Sequence, residues 1–285
     1  MPMHSRTVGG PTLRGVTVRG VTLGVGRPAV IVPITAVTAD EAQAAAHRLA
    51  VEGAVDLVEL RVDHLQCALD APRAAALCHA VRHILAHRPL IVTFRTGAEG
   101  GMTPIGDEAY VAFYDQVLNA AGPDAAPDLI DVEFNRGRHV VRRIVTAARG
   151  AGVGVILSSH DFTGTDKAPA LVERMRAMQE YDVDLIKLAV MPRDGGDVLS
   201  LLAATYEMRT RWADRPLITM AMGGVGVVSR LAGEIFGSAA TFGMLGQPSA
   251  PGQIDVHDLR HCVDIVHHAA APDLRVAGTP PGGAG

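Results

Sequence analysis

The feature that most constrains the fold is a regular alternation of apolar, strand-like runs with Ala- and Leu-rich helical segments along most of the chain. Eight strand-like runs recur, and they cover residues 29–35, 57–61, 90–95, 129–133, 153–159, 185–189, 217–220 and 239–242. Eight helical segments follow them, at residues 40–52, 71–86, 107–121, 138–149, 168–181, 196–212, 227–236 and 255–270. This alternation predicts a parallel sheet covered by helices.

The number of units favours one α/β domain, a single (β/α)₈ TIM barrel, over residues 29–271. A length of 285 residues also allows two domains of about 140 residues. However, no interior linker rich in Ser, Gly and Pro separates two halves. A doubly wound sheet would be expected to carry a Gly-rich, phosphate-binding turn after an early strand, and none is found there.

Both ends of the chain are predicted to lie outside the barrel. Residues 1–28 lack the apolar core of a secretory signal, and Val and Thr alternate between Val16 and Leu23. This alternation predicts an N-terminal β-hairpin that closes the barrel bottom. Residues 272–285 are rich in Pro and Gly and are predicted to be a disordered tail.

Composition excludes several classes of protein. With 48% hydrophobic and 20% charged residues the chain is not intrinsically disordered, and a formal net charge of -4 predicts no nucleic-acid partner. No apolar run reaches the roughly 18 residues that span a bilayer, so no membrane partner is expected. The three cysteines, Cys67, Cys78 and Cys262, lack the spacing of a metal site or a disulfide framework. We therefore predict a cytoplasmic protein without a metal.

Lysine usage singles out one position. Of the 26 basic residues only Lys167 and Lys187 are lysines. Lys167 has the surroundings of a solvated surface charge. Lys187, by contrast, lies within the apolar, strand-like run 184–190, where a charged side chain is costly unless it is paired or deprotonated.

Ionisable side chains recur at the carboxyl ends of the predicted strands, where barrels of this kind place their catalytic groups. Strands two to six carry them, and they are Glu59 and Arg61, Arg95 with Glu99 in the following loop, Asp131 and Glu133, Ser158 and His160, and Lys187. Met220 and Met222 end the seventh strand and are interpreted as packing residues. Glu59 with Arg61, and Arg95 with Glu99, could alternatively be ion pairs that only close the barrel mouth.

These residue types point to imine chemistry. Desolvation and neighbouring arginines disfavour the charged form of Lys187, so its amine could attack a carbonyl near neutral pH, as catalytic lysines with a pKa of roughly 7 to 8 do. The protonated imine then acidifies the adjacent carbon. His160 is the candidate base, and Glu99 could hold its imidazole in the required tautomer.

Six segments in sequence order carry a family resemblance. They are Glu59-Leu-Arg-Val-Asp63, Thr93-Phe-Arg-Thr-Gly-Ala-Glu-Gly-Gly101, Ser159-His-Asp-Phe162, Ile186-Lys-Leu-Ala-Val-Met-Pro192, Ser229-Arg-Leu-Ala-Gly-Glu-Ile-Phe-Gly-Ser-Ala-Ala-Thr-Phe-Gly243 and Ser249-Ala-Pro-Gly-Gln253. The chain resembles type I 3-dehydroquinate dehydratases over about residues 29–270.

The resemblance implies a cofactor-free dehydratase of the shikimate pathway that converts 3-dehydroquinate to 3-dehydroshikimate. Lys187 would form an imine with the C3 ketone, and His160, supported by Glu99, would remove the C2 proton and then protonate the departing C1 hydroxyl. The remaining contacts would come from the substrate-binding residues, which are Arg230, Ser249 and Gln253 for the carboxylate and Glu59, Arg61 and Arg95 for the ring hydroxyls. The resemblance also implies a lid formed by residues 243–253 and a homodimer.

Two departures from the family pattern and two other functions remain at this point. Ser159 stands where an aromatic residue is often expected, and Gly223-Gly224 stands where some relatives have a charged pair. A class I aldolase would use the same lysine imine, but its usual phosphate site suits the Arg230 region less well than a carboxylate site does. A barrel that binds a metabolite without turnover is the third hypothesis.

Overall fold

A computed structural model describes residues 13–120, 125–246 and 248–278, and for residues 271–278 it describes only the backbone. A two-stranded antiparallel hairpin comes first, with β1 at Val16–Val18 and β2 at Val21–Leu23. Eight parallel strands follow, and they are β3 (Ala29–Ile34), β4 (Leu57–Arg61), β5 (Leu90–Thr93), β6 (Leu129–Glu133), β7 (Gly154–Asp161), β8 (Leu185–Val190), β9 (Leu217–Ala221) and β10 (Ala240–Phe242).

The eight parallel strands form a barrel. Their order in the sheet is β10, then β3 to β9 in sequence, so each strand pairs with the next strand along the chain. A parallel bridge between Leu217 and Ser238 joins the two outer strands. The Ala239 backbone N–H donates to the Leu217 carbonyl at 2.7 Å beside this bridge. The predicted barrel and hairpin are thus confirmed.

Helices cover the outside of the barrel. They are α1 (Ala39–Val51), α2 (Ala71–Leu85), α3 (Asp107–Leu118), α4 (Arg138–Ala151), α5 (Ala168–Gln179), α6 (Gly195–Glu207), α7 (Val227–Leu231), α8 (Gly233–Phe236) and α9 (Val256–Gly278). Side-chain caps define several starts, as at α1, where the Thr38 hydroxyl accepts from the Glu41 backbone N–H and Glu41 accepts from the Thr38 backbone N–H. None of the helices within the described residues combines the length and apolarity needed to cross a membrane.

The inward-facing residues of the strands form layers that change from apolar to polar along the barrel axis. The lower layer is aliphatic and contains Ile31, Leu57, Ile91, Leu129, Ile156, Leu185 and Ile218. Side chains two residues further along a strand point the same way. In β4 to β8 these are Glu59, Thr93, Asp131, Ser158 and Lys187, all buried. The polar groups therefore gather at the carboxyl end of the barrel.

The hairpin covers the opposite end of the barrel. Leu23 belongs to the same buried cluster as the lower aliphatic layer, and Val16, Val18 and Val21 pack against that cluster. The packing keeps water from the lower layer and leaves the carboxyl end as the open side. The proposed division at residues 28 and 271 stays a prediction, since α9 continues to Gly278 and residues 279–285 lie outside the described residues.

Three aspartates fix the starts of alternate strands. Asp56, Asp128 and Asp184 each directly precede a strand, and each carboxylate accepts the backbone N–H of the neighbouring strand. The donors are Val30, Leu90 and Val155, at 2.8 Å in each case. These bonds satisfy amides at the strand starts and help to hold the register that aligns the polar layer.

Candidate active site

A pocket opens at the carboxyl end of the barrel. All nine residues to which the sequence assigned a catalytic or substrate-binding role line this pocket, and they are Glu59, Arg61, Arg95, Glu99, His160, Lys187, Arg230, Ser249 and Gln253. They come from six different strands or the segments that follow them, so the barrel brings together residues nearly 200 positions apart. Phe162, Met220, Met222 and Phe242 add apolar surface to the walls.

Lys187 lies at the base of the pocket, and its side chain is 6% exposed. Its Nζ donates to Asp131 Oδ2 at 2.9 Å and to Glu59 Oε1 at 3.4 Å. The Phe242 ring centroid lies 4.5 Å from Nζ. Sequence reasoning expected desolvation and neighbouring arginines to act on this amine, whereas the structure also places two carboxylates on it.

His160 and Glu99 form a hydrogen-bonded pair beside the amine. His160 Nδ1 lies 2.9 Å from Glu99 Oε2, which also accepts the backbone N–H of His160 at 3.0 Å. Because Oε2 already acts as an acceptor there, we assign the Nδ1 proton to the imidazole, which leaves Nε2 unprotonated toward the pocket. Asn135 Nδ2 donates to the other Glu99 oxygen at 2.8 Å and fixes the carboxylate from behind.

Burial and nearby charge set the ionisation of this pair. Burial, together with the cations Arg95 and Lys187, holds the pKa of His160 well below its usual range. Burial, with a contribution from nearby Glu133, raises the pKa of Glu99 to about 7, although Arg95 opposes the rise. Both directions follow from removing charge from water. His160 is therefore neutral near pH 7, as a proton acceptor must be.

Arg95 ties the acidic groups of the site together. One guanidinium nitrogen, Nη2, donates to Asp131 at 2.8 Å, and the other, Nη1, donates to Glu133 at 3.1 Å and to Ser158 at 3.0 Å. Nη1 also lies 3.6 Å from Glu99. Burial raises the pKa of Asp131, but Arg95 and Lys187 outweigh burial and hold this pKa well below its usual range. Asp131 is thus a permanent anion beneath the pocket.

Arg61 pairs with Asp63 and not with Glu59, the partner that the sequence suggested. Its guanidinium makes two parallel hydrogen bonds to Asp63, both 2.8 Å long, instead of pairing with Glu59. Asp63 also accepts the backbone N–H groups of Arg95 and Met102, at 3.3 and 3.1 Å. One buried carboxylate therefore fixes both Arg61 and the loop that carries Glu99.

Two glycines shape that loop. Gly100 has a φ of +84°, and a Cβ there would lie 2.3 Å from the Phe162 ring. A Cβ on Gly101 would lie 1.9 Å from the Arg95 carbonyl oxygen. Only glycine fits this close approach of backbone to backbone. The turn brings Glu99 back over the end of β5 toward His160.

Arg230, on α7, is 2% exposed and has no acidic partner among the described residues. Its Nη atoms donate to the carbonyls of Pro251 at 3.2 Å and Phe242 at 3.5 Å, while its buried Nε has no partner in the described chain. Burial lowers its pKa to about 10. A buried cation without a counter-ion at a pocket wall is an anion-binding arrangement.

The loop after β10 lies against the pocket. Gln253 accepts the backbone N–H of Ser249 at 2.6 Å and donates to the Ser249 hydroxyl at 2.9 Å, so the two predicted residues hold each other. Pro251 also accepts the Gly223 backbone N–H at 3.1 Å. A Cβ on Gly252 would lie 2.2 Å from the Gly223 carbonyl oxygen. Movement of this loop as a lid stays a prediction.

The two departures from the family pattern have different surroundings. Gly223, which has a φ of +70°, contacts the loop after β10 through its backbone, so this departure lies at the loop contact. Ser159 is fully buried, and its hydroxyl has no hydrogen-bond partner in the part of the chain that the structure describes. Its neighbour Ser158 points into the barrel, toward Arg95.

Sequence reasoning gave no role to three residues that organise the site. These are Asp131, Asp63 and Asn135. The sequence places Asp131 among the ionisable residues at the strand ends, two positions after Leu129, but does not show which group it contacts. Asp63 follows Arg61 by two positions, so the same alternation also selects it. Asn135 is exposed and lies in a turn after β6, where no periodic signal marks it.

Comparisons with known proteins agree on one family. The family model described as type I 3-dehydroquinase matches residues 30–270. The chain is 43% identical over 260 residues to proteins named 3-dehydroquinate dehydratase from Shigella boydii serotype 4 and from Escherichia coli O1:K1, covering 90% of this chain and 100% of each relative.

Solved structures give the same result. The type I 3-dehydroquinate dehydratase of Clostridium difficile, whose crystal contains covalently modified comenic acid, superposes with a TM-score of 0.85 at 39% identity, covering 90% of this chain and all of that one. The 3-dehydroquinate dehydratase of Geobacillus kaustophilus superposes with a TM-score of 0.84 at 33% identity, covering 90% of this chain and 98% of that one. The chain belongs to the type I 3-dehydroquinase family.

Proposed function

We propose that this hydro-lyase dehydrates 3-dehydroquinate to 3-dehydroshikimate in the shikimate pathway through an imine on Lys187. The observation that carries the proposal is the joint exposure of Lys187, the His160–Glu99 pair and the counter-ion-free Arg230 to one pocket. An amine, a base and an anion site are what the elimination of water from a keto acid requires. No cofactor is needed, since the imine itself serves as the electron sink.

Lys187 attacks the C3 ketone of the substrate. Loss of water gives a protonated imine, and its positive charge acidifies the hydrogens on C2. The apolar walls at Phe242, Met220 and Met222 exclude water from the imine and slow its hydrolysis. Glu59, Arg61 and Arg95 bind the ring hydroxyls from the side of β4 and β5.

His160 performs both proton transfers. Its neutral Nε2 takes a proton from C2, and the resulting imidazolium then protonates the C1 hydroxyl as it leaves. Glu99 accepts from Nδ1 and stabilises the transient positive charge. Because one group on one side of the ring does both steps, the elimination has syn stereochemistry.

Arg230 binds the substrate carboxylate, with Ser249 and Gln253 in the loop after β10 adding hydrogen bonds. We expect Arg230→Ala to lower kcat/KM by about 10²- to 10³-fold, mainly through KM, because a buried charge-assisted pair is lost. Steady-state kinetics with 3-dehydroquinate measure this change. Arg211→Ala is the matched control, since Arg211 lies on the surface, where it pairs only weakly with Glu207 at 3.7 Å. Equal effects in both variants would show that Arg230 does not bind the substrate carboxylate.

One assay tests the function directly. 3-Dehydroshikimate is a conjugated enone and absorbs ultraviolet light, whereas 3-dehydroquinate does not contain this group. The purified protein is expected to produce the absorbance from 3-dehydroquinate without any added metal or cofactor. Cleavage of phosphorylated aldol substrates without activity on 3-dehydroquinate would instead indicate an aldolase, and binding without turnover would indicate a metabolite-binding barrel.

We further propose that the chain works as a homodimer in the cytoplasm. Aliphatic side chains of the neighbouring helices α7, α8 and α9 are exposed in the single chain, namely Val228, Ile235 and Ile265. Burying them against a second copy would remove this apolar surface from water. Light scattering is expected to give twice the mass of one chain, and Ile235→Asp to reduce it toward one. A monomer at micromolar concentration would contradict the dimer.

A further inference from the structure

Asp131 has the geometry of a fixed acceptor for the reacting amine. It is fully buried on β6 and does not line the pocket. Its Oδ1 accepts from Arg95 Nη2 at 2.8 Å and from the Ser158 hydroxyl at 2.5 Å. Those two donors fix the carboxylate plane, and Oδ2 consequently faces Lys187 Nζ at 2.9 Å.

The charge on the lysine nitrogen is the same before and after imine formation. An ammonium and a ketone give a protonated imine and one water molecule. The nitrogen gains a double bond to carbon, two of its three hydrogens leave with the ketone oxygen as water, and one N–H remains. The ammonium gives up a proton to attack the ketone, and the charge returns when the carbinolamine loses water. The starting ammonium and the protonated imine therefore both carry one positive charge and at least one N–H donor, provided the proposed function holds.

We propose that the remaining N–H stays on Asp131 Oδ2, so that Asp131 is the counter-ion of the imine and sets the direction in which the C=N bond points. Among the described residues, two carboxylates contact the amine, and a cation and an imidazole line the same pocket. These are Asp131 from β6, Glu59 from β4, Arg95 after β5 and His160 from β7.

Glu59 is less suited to this role for three reasons. It lies 3.4 Å from Nζ, against 2.9 Å for Asp131. Its Oε1 is shared with the Thr93 hydroxyl at 2.8 Å. It also lines the pocket, where the substrate competes for it, whereas Asp131 is out of the substrate's reach. With the N–H directed at β6, the C=N bond extends into the pocket beside His160.

The test isolates imine formation from proton transfer by using the His160→Ala protein, in which turnover is blocked. 3-Dehydroshikimate is added, and in one sample the Lys187 adduct is trapped with borohydride and counted by peptide mass. In a second sample without borohydride, the near-ultraviolet absorbance of the unreduced imine is followed against pH. Adding Asp131→Asn is expected to slow trapping about 100-fold and to lower the pH at which the adduct loses its imine proton by one to three units, roughly the effect of a neighbouring opposite charge. Asp131→Glu, which keeps the charge, is expected to restore most of that pH shift.

A purely structural role for Asp131 would reduce the amount of adduct without moving this pH. Unchanged trapping and an unchanged pH in the Asp131→Asn protein would overturn the proposal. If that variant does not fold, the His160→Ala protein tests the proposal by itself. The pH at which its adduct loses the imine proton must then lie about two units above the value for an imine without a counter-ion. The absence of any Lys187 adduct in that parent protein would instead refute the proposed imine chemistry.

Discussion

Replacing Lys187 by methionine is expected to lower kcat for 3-dehydroquinate by at least about 10⁵-fold, the scale seen when a covalent nucleophile is removed. Methionine keeps the length and the apolar body of the side chain but cannot form an imine. Asp131 retains Arg95 and Ser158 as partners in the variant, so the barrel mouth should stay folded. The ultraviolet assay gives the rate, and circular dichroism checks the fold.

The sequence provides a matched control for this experiment. Lys167 is the other lysine of the chain and lies exposed before α5, away from the pocket. Lys167→Met should leave kcat and KM within about twofold, as surface substitutions generally do. Borohydride with substrate should add mass to the Lys187 peptide alone. Label on Lys167, or more than about 1% residual activity in Lys187→Met, would contradict the imine mechanism.

The barrel was predictable because each strand carries its own signal. In β4, β5, β6 and β8 an aliphatic inward residue, such as Leu57 or Leu185, is followed two positions later by a polar one, such as Glu59 or Lys187. Alternation and period together leave few other folds for such a sequence. Helix ends were less predictable, as at α9, which runs to Gly278 instead of ending near residue 270.

The residues of the site could be predicted from the sequence, but the ion pairs between them could not. Strand-end position and the family motifs select residues such as Arg61, yet they do not state which acid lies next to it. Asp63 pairs with Arg61 because the turn after β4 brings the two side chains together. Asp131 contacts Lys187 across the barrel interior, 56 residues away in sequence. Contacts of this kind form only when the barrel closes, and the residue pattern of a single strand does not show which strands will face each other.

Replacing His160 by alanine is expected to lower kcat by about 10⁴-fold while leaving the Lys187 adduct trappable. The two effects separate because the amine attacks the ketone without the imidazole, whereas the C2 proton and the C1 hydroxyl both need it. Peptide mass after borohydride treatment measures the adduct, and the ultraviolet assay measures turnover. Normal turnover in the variant would exclude His160 as the base, and failure to trap any adduct would assign it a role in imine formation.

The pH dependence of the native enzyme tests the same assignment without a mutation. His160 acts as a base only when neutral, and burial with Arg95 and Lys187 holds its pKa well below 6.5. A lowered pKa keeps the base available as the solution becomes more acidic, so protonation of His160 should lower kcat only below pH 6.5. Protonation of Glu99, whose pKa is about 7, weakens only the support for the imidazole and should lower kcat by less. Asn135→Asp adds a negative charge behind Glu99, which favours the imidazolium, and should move that fall to higher pH. Steady-state kcat between pH 5 and 8 for both proteins measures the shift. A native profile centred at the ordinary histidine pKa would contradict the assignment, because the imidazole would then not be buried beside Arg95 and Lys187.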